Sequence, residues 1–345
     1  MTSPKILFLY SEVMPYTEAV LRALVARDAT IKVVYWDKNR LTPYKPWSDL
    51  VEFIPRSTQD ERSVFTLLAN WNPDIVYLSG RMDALYLRAA SRAKAQGIKV
   101  VMGSDNQWRG WSLRSVFQSL FGYFLYRRYC THIWVSGVRQ FEFAKRVGFK
   151  IDQILFDLYA ADVSLFASID ASYDGRDILF IGRLAPEKGI VDLVETVSAL
   201  STNGLFDGKL IVFGNGPLRN ILPNHPCVEY RGFSKQIDLK DAIRSSAFFC
   251  LPSMTEPWGV VLHEMAAAGL PIICSDACGA RFAFVKDGYN GKIFKTGDNN
   301  ALQQAILAMV SLSTDQKRVM GRRSRELAMH ITPESSAASL ISILK

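Results

Sequence analysis

The sequence has few of the residues that would staple it, load it with metal or carry it through a bilayer. Its five cysteines, Cys130, Cys227, Cys250, Cys274 and Cys278, form no C-x-x-C pair, and three sit in or beside predicted strands. They are expected to be reduced and structural, acting as small hydrophobes. No apolar run approaches the ~20 residues of a membrane span. Met1-Thr2-Ser3-Pro4-Lys5 leads straight into a predicted strand rather than a signal peptide. A cytoplasmic protein is expected, free or peripheral at the inner face of a membrane. The four histidines, His132, His225, His263 and His330, are scattered, and there is neither an Asp-x-Asp motif nor a His/Cys/carboxylate cluster with ligand spacing. No essential metal is expected. Internal repeats, low-complexity tracts and any familiar nucleic-acid-binding module are missing too, so nucleic acid is not the expected partner.

What is present is an apolar, basic chain of 345 residues, 49% hydrophobic with a net charge of +8, long enough for two domains with full cores. The charge is uneven: up to Asp157 there are 22 Lys+Arg against 14 Asp+Glu, and beyond it 19 against 19. The first half either meets an anionic partner or carries an ordinary solvated basic surface. Within it, apolar runs at Ile6–Tyr10, Ile31–Tyr35, Val51–Ile54, Ile75–Leu78, Val100–Met102 and Ile133–Val135 alternate with helical patterns. Those helices cover Glu18–Ala26, Gln59–Asn70, Asp83–Gln96 and Val138–Val147, which predicts a doubly wound parallel sheet. The pattern lapses over 159–176, the expected linker, and a new sheet opens at Ile178–Ile181.

The second half is organised around Leu251 to Pro271, which reads as strand end, loop, helix from about Gly259 and helix stop at Gly269. A loop at a strand's carboxyl end that feeds a helix presents unpaired N–H groups and a positive dipole to an anion. Gly259 has no side chain to hold a phosphate away from the N–H groups around Val260 and Val261. Glu256, before the helix, can take sugar hydroxyls, and Glu264, on its second turn, can take a ribose diol. The alternative is a capping carboxylate and a solvated one. Upstream, Gly182-Arg183-Leu184-Ala185-Pro186-Glu187-Lys188-Gly189 follows a strand, and its two cations, Arg183 as a fork and Lys188 as a point charge, can close on a diphosphate. Gly214-Asn215-Gly216-Pro217 follows the strand Leu210–Phe213. It fails as a dinucleotide fingerprint because Arg219 stands where the third glycine belongs. Val228-Glu229-Tyr230-Arg231-Gly232-Phe233 is another strand and loop, and alone it is as readily a plain turn.

Taken together, Gly-Arg-Leu…Glu-Lys-Gly, Gly-x-Gly-Pro, Glu-Pro-x-Gly-x4-Glu and the run from Ser275 through Gly291 resemble the retaining glycosyltransferases of family 4, also called glycosyl transferases group 1. The resemblance implies the GT-B fold, an α/β architecture of two Rossmann-like doubly wound parallel-sheet domains facing a central cleft. Here these would be 1–158 for the acceptor and 177–325 for the nucleotide sugar, with 326–345 ending in a helix that packs back on the first domain. It implies that Arg183 and Lys188 bind the donor diphosphate and stabilise it as it leaves, that Glu256 orients the donor sugar, and that the backbone at Arg231, Gly232 and Phe233 reads the nucleotide base. Gly214 and Gly216 form the turn beside the donor.

The first domain matches in architecture alone, and it departs from the family's pattern in two loops. Ser11-Glu12-Val13-Met14 stands where many members have a Gly-Gly pair, and Gly103-Ser104-Asp105-Asn106-Gln107-Trp108 where a His is common. Asp105 takes about that place, as an acceptor of the substrate proton, a sugar contact, or an ordinary turn former. In the second domain Phe282-Ala283 replaces a frequent Pro-Glu pair, so any carboxylate contact at Ala283 is lost. The expectation is retaining transfer of a sugar from a nucleotide-diphosphate donor to an acceptor hydroxyl, with a saccharide or lipid-linked acceptor. The alternatives are a sugar phosphorylase, a disaccharide-phosphate synthase, or a silent nucleotide-sugar binder.

One feature of the first domain lies outside the motifs. Leu113, Val116, Phe117, Leu120, Phe121, Phe124 and Leu125 form a helical stripe within 112–128, with Tyr123 and Tyr126 among them and Arg109, Arg114, Arg127 and Arg128 around it. Either it covers the sheet or it lies on an anionic membrane surface. Trp108 and Trp111 flank Arg109 as stacking surfaces or as core.

Overall fold

Apolar runs of four to six residues, each closed by turn formers, pair side by side and in parallel throughout the protein, which buries most of them on both faces. The computed structural model describes residues 3–38, 46, 49–108, 110 and 113–344. Arg109 and Trp111, and the side chains of Leu113, Arg114 and Gln118, lie outside the described residues. The chain divides into two units, residues 1–160 with 331–345, and residues 161–330.

The first unit runs β1 (Lys5–Tyr10), α1 (Pro15–Val25), β2 (Thr30–Tyr35), β3 (Glu52–Pro55), α2 (Glu61–Trp71), β4 (Ile75–Leu78), α3 (Ala84–Ala95), β5 (Lys99–Ser104), α4 (Leu113–Tyr129), β6 (His132–Val135), α5 (Val138–Arg146) and β7 (Ile154–Leu155). Its seven strands lie in the order β3-β2-β1-β4-β5-β6-β7. Alternate residues of β1 serve the two faces, as the period of a strand requires. Leu7 and Leu9 pack with Val64, Leu68 and Leu85 of α2 and α3. Ile6, Phe8 and Tyr10 pack with Val20, Leu21 and Leu24 of α1.

The second unit runs α6 (Val163–Ala167), β8 (Asp177–Ile181), α7 (Ile190–Thr202), β9 (Leu210–Phe213), β10 (Val228–Gly232), α8 (Lys240–Ser245), β11 (Ser246–Leu251), α9 (Val260–Ala267), β12 (Ile272–Ser275), α10 (Arg281–Phe284), β13 (Gly291–Phe294), α11 (Asn299–Val310) and α12 (Thr314–Ala328). Its strand order is β10-β9-β8-β11-β12-β13. The order reverses between β8 and β11, and the crevice outside such a switch point is where open α/β sheets hold their ligands.

The boundaries differ from a linker at 159–176. From Ala161 onward that segment is packed into the second unit: the Ala161 N–H donates to His263 Nδ1 at 3.0 Å, and the Tyr173 hydroxyl donates to the Gly269 carbonyl at 3.0 Å. Its small and polar residues read as linker because their partners are about a hundred residues away. The chain then returns to the first unit as α13 (Pro333–Ile341). There Ala337 and Leu340 are buried, Ser335 Oγ donates to Asp157 at 3.0 Å, and an Arg27 N–H donates to the Glu334 carbonyl at 3.3 Å.

Helix α4 does not turn its apolar stripe onto the sheet. Its inward face is Gly122 and Tyr126, with the Tyr126 ring 6.0 Å from Phe143 and 6.2 Å from Phe149. Val116, Phe117, Leu120, Phe121 and Phe124 are exposed by 37 to 77%.

Candidate active site

Strand β11 is buried at every position, so the chain first reaches solvent beyond its carboxyl end, in the loop 252–259. That loop is held by backbone from several elements. Met254 and Thr255 donate their N–H groups to the Glu187 carbonyl at 2.9 and 3.2 Å, Gly279 donates to the Glu256 carbonyl at 3.0 Å, and Ala280 donates to that of Trp258 at 2.9 Å. Trp258 is buried edge-on to Phe284, its ring 6.0 Å away. Three short polypeptide segments thus fix where the Glu256 side chain points.

Glu256 is 7% exposed and ion-pairs with the Lys188 ammonium, and it also accepts from Ser253 Oγ at 3.3 Å. This unites the two motifs expected to meet the donor, across the switch point between β8 and β11. Arg183, from the same β8 loop, is half-exposed and paired with Glu187 at 2.5 Å. The two cations therefore each hold a carboxylate.

Gly259 has φ +93°, in the left-handed region that disfavours side chains, and a Cβ there would lie 2.9 Å from Glu256 Cγ. No side chain caps α9. Its first N–H groups, around Val260 and Val261, are those an anion can take. Alongside, the β8 and β9 loops approach backbone to backbone. A Cβ on Gly214 would sit 1.8 Å from the Gly182 carbonyl oxygen, and one on Gly216 2.3 Å from that of Leu184. Residues 217–221 are turns rather than the helix a dinucleotide fingerprint opens. Gly214 also donates to the Gly232 carbonyl at 2.7 Å, which joins the β9 and β10 loops. Arg231 pairs with Glu229 at 2.7 Å and lies 5.7 Å over the Phe213 ring, and Phe233 is 49% exposed.

Glu264 accepts from Gln236 Nε2 at 2.5 Å, and burial pushes its pKa up to about 7, with the amide working against that rise. Gln236, 28 residues away, carried no signal in the sequence, and neither did Ser253 as a partner of Glu256. Glu187 stood inside the motif but was not singled out. His263, beside Glu264, is fully buried. Its Nδ1 accepts from Ala161, its Nε2 lies 2.9 Å from the Ala328 carbonyl, and its ring stacks on Phe284 at 4.0 Å, so it works as a neutral tie between segments. All five cysteines are buried and unpaired with one another.

Asp105 belongs to the first unit, in the loop after β5, and is partly buried. Burial first, and then nearby charge including that of Asp105, raises the pKa of Tyr10 and Tyr159. Asn106 Nδ2 donates to Ser104 Oγ at 3.3 Å and to the Tyr126 hydroxyl at 3.0 Å, pinning this loop to α4. Trp108 packs against the core beneath the Arg146 guanidinium, 4.1 Å from its ring.

Two doubly wound parallel sheets, with an open helix start and a cation-carboxylate pair at the switch point of the second, define an α/β protein with an anion-ready corner at the carboxyl end of β11. Residues 175–311 match the family model of glycosyl transferases group 1. Among relatives, the chain is 32% identical over 132 residues to an uncharacterized glycosyltransferase of Methanocaldococcus jannaschii, covering 36% of this chain and 33% of that one. It is 31% identical over 142 residues to the phosphatidyl-myo-inositol mannosyltransferase of Mycobacterium leprae, covering 39% and 37%. The chain thus spans about a third of the length of each relative. The structure of Anabaena HepE in complex with UDP and glucose superposes over 99% of both chains with a TM-score of 0.72 at 13% identity. That likeness shows the fold, which is GT-B.

Proposed function

We propose that the protein is a retaining glycosyltransferase that moves a sugar from a nucleotide-diphosphate donor to an acceptor hydroxyl without a metal ion. The observation that carries this reading is the Lys188–Glu256 pair beside the uncapped start of α9. A diphosphate entering there meets Lys188, Arg183 and the N–H groups near Val260 and Val261, which are aimed where charge grows as the glycosidic bond breaks. Glu256, released from Lys188, accepts from the donor sugar's hydroxyls, Glu264 accepts from the ribose diol, and the backbone around Arg231, Gly232 and Phe233 lies beside the base. The acceptor attacks from the face the diphosphate leaves, so no enzyme nucleophile is needed, and Asp105 holds the acceptor or takes its proton.

The acceptor is a cell-envelope saccharide or a lipid-linked one, and the protein works in the cytoplasm, peripheral to the membrane. The UDP and glucose bound in Anabaena HepE support a nucleotide-linked donor, and the phosphatidyl-myo-inositol mannosyltransferase among the relatives supports a lipid acceptor. A panel of nucleotides and nucleotide sugars in a thermal melt comes first, since a ligand at 100 times its Kd stabilises by about 2.7 kcal/mol. Proton NMR of the product made from the best donor, with EDTA present, then reads the anomeric configuration. Inversion, or complete loss of turnover in EDTA, rejects the mechanism.

A further inference from the structure

Helix α4 is apolar on two opposite faces, and among the described residues only one of them has protein to cover it. At about 100° per residue, Val116, Phe117, Leu120, Phe121 and Phe124 fall within an arc of about 140°. Gly122 and Tyr126, the buried positions, lie roughly opposite the middle of that arc. Phe117, Leu120, Phe121 and Phe124 are each at least 60% exposed, so four large apolar side chains stand side by side in water. Contiguous apolar surface of this kind marks a place where something docks.

The charge around the stripe says what docks. From Asn106 to Phe141 the chain has five arginines, Arg109, Arg114, Arg127, Arg128 and Arg139, and no Asp or Glu. Arg127 and Arg128 continue the arc of the stripe one turn past Phe124, and both are exposed. They lie over tyrosine rings, Arg127 at 5.0 Å from Tyr123 and Arg128 at 5.5 Å from Tyr129. An apolar stripe closed by arginines, with the exposed Tyr123 beside it, is the pattern of a helix lying in a membrane interface, where an aromatic hydroxyl sits at headgroup depth and arginines reach lipid phosphates. No helix among the described residues is long and apolar enough to cross a bilayer.

We infer that the outer face of α4 is a docking surface for an anionic lipid bilayer, with the helix lying flat and Phe117, Leu120, Phe121 and Phe124 in the acyl boundary. This surface stands independently of the transfer reading. It also gives a lipid-borne acceptor a place to arrive, because the buried Tyr126 of the same helix accepts from Asn106, next to Asp105.

The test uses the full chain in flotation with vesicles of phosphatidylcholine alone and of phosphatidylcholine mixed with phosphatidylglycerol. The chain is expected to float with the anionic vesicles only, and less as salt rises. Phe117→Ser with Phe121→Ser and Phe124→Ser, and separately Arg127→Glu with Arg128→Glu, should each weaken binding about tenfold or more. Because the three phenylalanines face water, the circular dichroism and melting temperature of that variant should stay native. If it fails to fold, the arginine variant and Phe117→Ser alone carry the same comparison. Flotation with neither vesicle, or equally with both, overturns the inference. So does a lipid-free dimer that the phenylalanine substitutions split, since the stripe then meets a second copy.

Discussion

The cations at two places in the molecule, the corner beside β11 in the second unit and the surroundings of α4 in the first, are held in different ways. In the second unit Lys188 is paired with buried Glu256 and Arg183 with Glu187, and positive and negative residues balance along the half-chain that contains them. In the first, Arg81, Arg127 and Arg128 lie over the rings of Tyr126, Tyr123 and Tyr129, within the half that holds all the excess charge. A cation paired with a carboxylate can be set in place before any ligand arrives, and it exchanges one anion for another when the ligand binds. A cation stacked on an aromatic ring keeps its charge on offer to a surface. The first arrangement suits preorganised chemistry on a diphosphate, the second attachment to something broad and anionic.

The sharpest way to break this contrast is at Glu256. If Glu256 is exchanged from Lys188 to the donor sugar during transfer, Glu256→Gln should cut turnover by about 100-fold or more while nucleotide binding survives. Native turnover in that variant would remove the sugar from the pair's role. Arg183→Ala and Lys188→Ala should each slow turnover by about 100–1,000-fold, more than they weaken substrate binding, because diphosphate charge grows toward the transition state. Initial rates over a donor titration separate the two quantities, and an increase in KM alone would count against leaving-group stabilisation.

The same two cations should differ in stability. Lys188→Ala leaves a buried carboxylate without its cation, a loss of about 3 kcal/mol or more, whereas the half-exposed Arg183–Glu187 pair contributes between about 0 and 1 kcal/mol. Urea denaturation of both variants reads this directly. Equal losses would mean that burial does not distinguish the pairs.

How far the sequence could anticipate this contrast depended on how local each partner was. The strands were legible because runs such as Phe248-Phe249-Cys250 must be buried on both faces, and Asp83 marked a helix start that the structure caps through its carboxylate. The corner at β11 was legible because Gly259 and Glu256 lie three residues apart on one loop. Partners brought from a distance were not: Gln236 reaches Glu264 from another strand connection, and Ala161 reaches His263 from a segment that reads as linker. Helix α4 shows the other limit. Its outer stripe has the spacing of a sheet-covering helix, but Gly122 and Tyr126 already supply the inward face, so periodicity alone could not assign which side meets water.

The smallest effect expected concerns Glu264, where the anion-ready arrangement is incomplete at neutral pH. Burial raises its pKa to about 7, so near pH 6 it is mostly protonated in the free protein, yet an acceptor of two ribose hydroxyls works best as a carboxylate. Nucleotide binding should then release a proton below pH 7, and Kd should rise by up to about tenfold per unit as pH falls from 7 to 5. Folding stability has the opposite slope. The folded carboxyl holds its proton to a higher pH than the unfolded one, so its contribution is fully present below the unfolded value of about 4.3 and is lost as pH rises toward 7. Glu264→Gln should flatten both profiles, keeping the hydrogen bond to Gln236 through its amide oxygen while removing the titration. Isothermal titration at pH 5.5 and 7.5 in buffers of different ionisation enthalpy measures the proton release. Identical release by the native protein and the Gln variant would place the titrating group elsewhere and leave Glu264 as a buried partner of Gln236 alone.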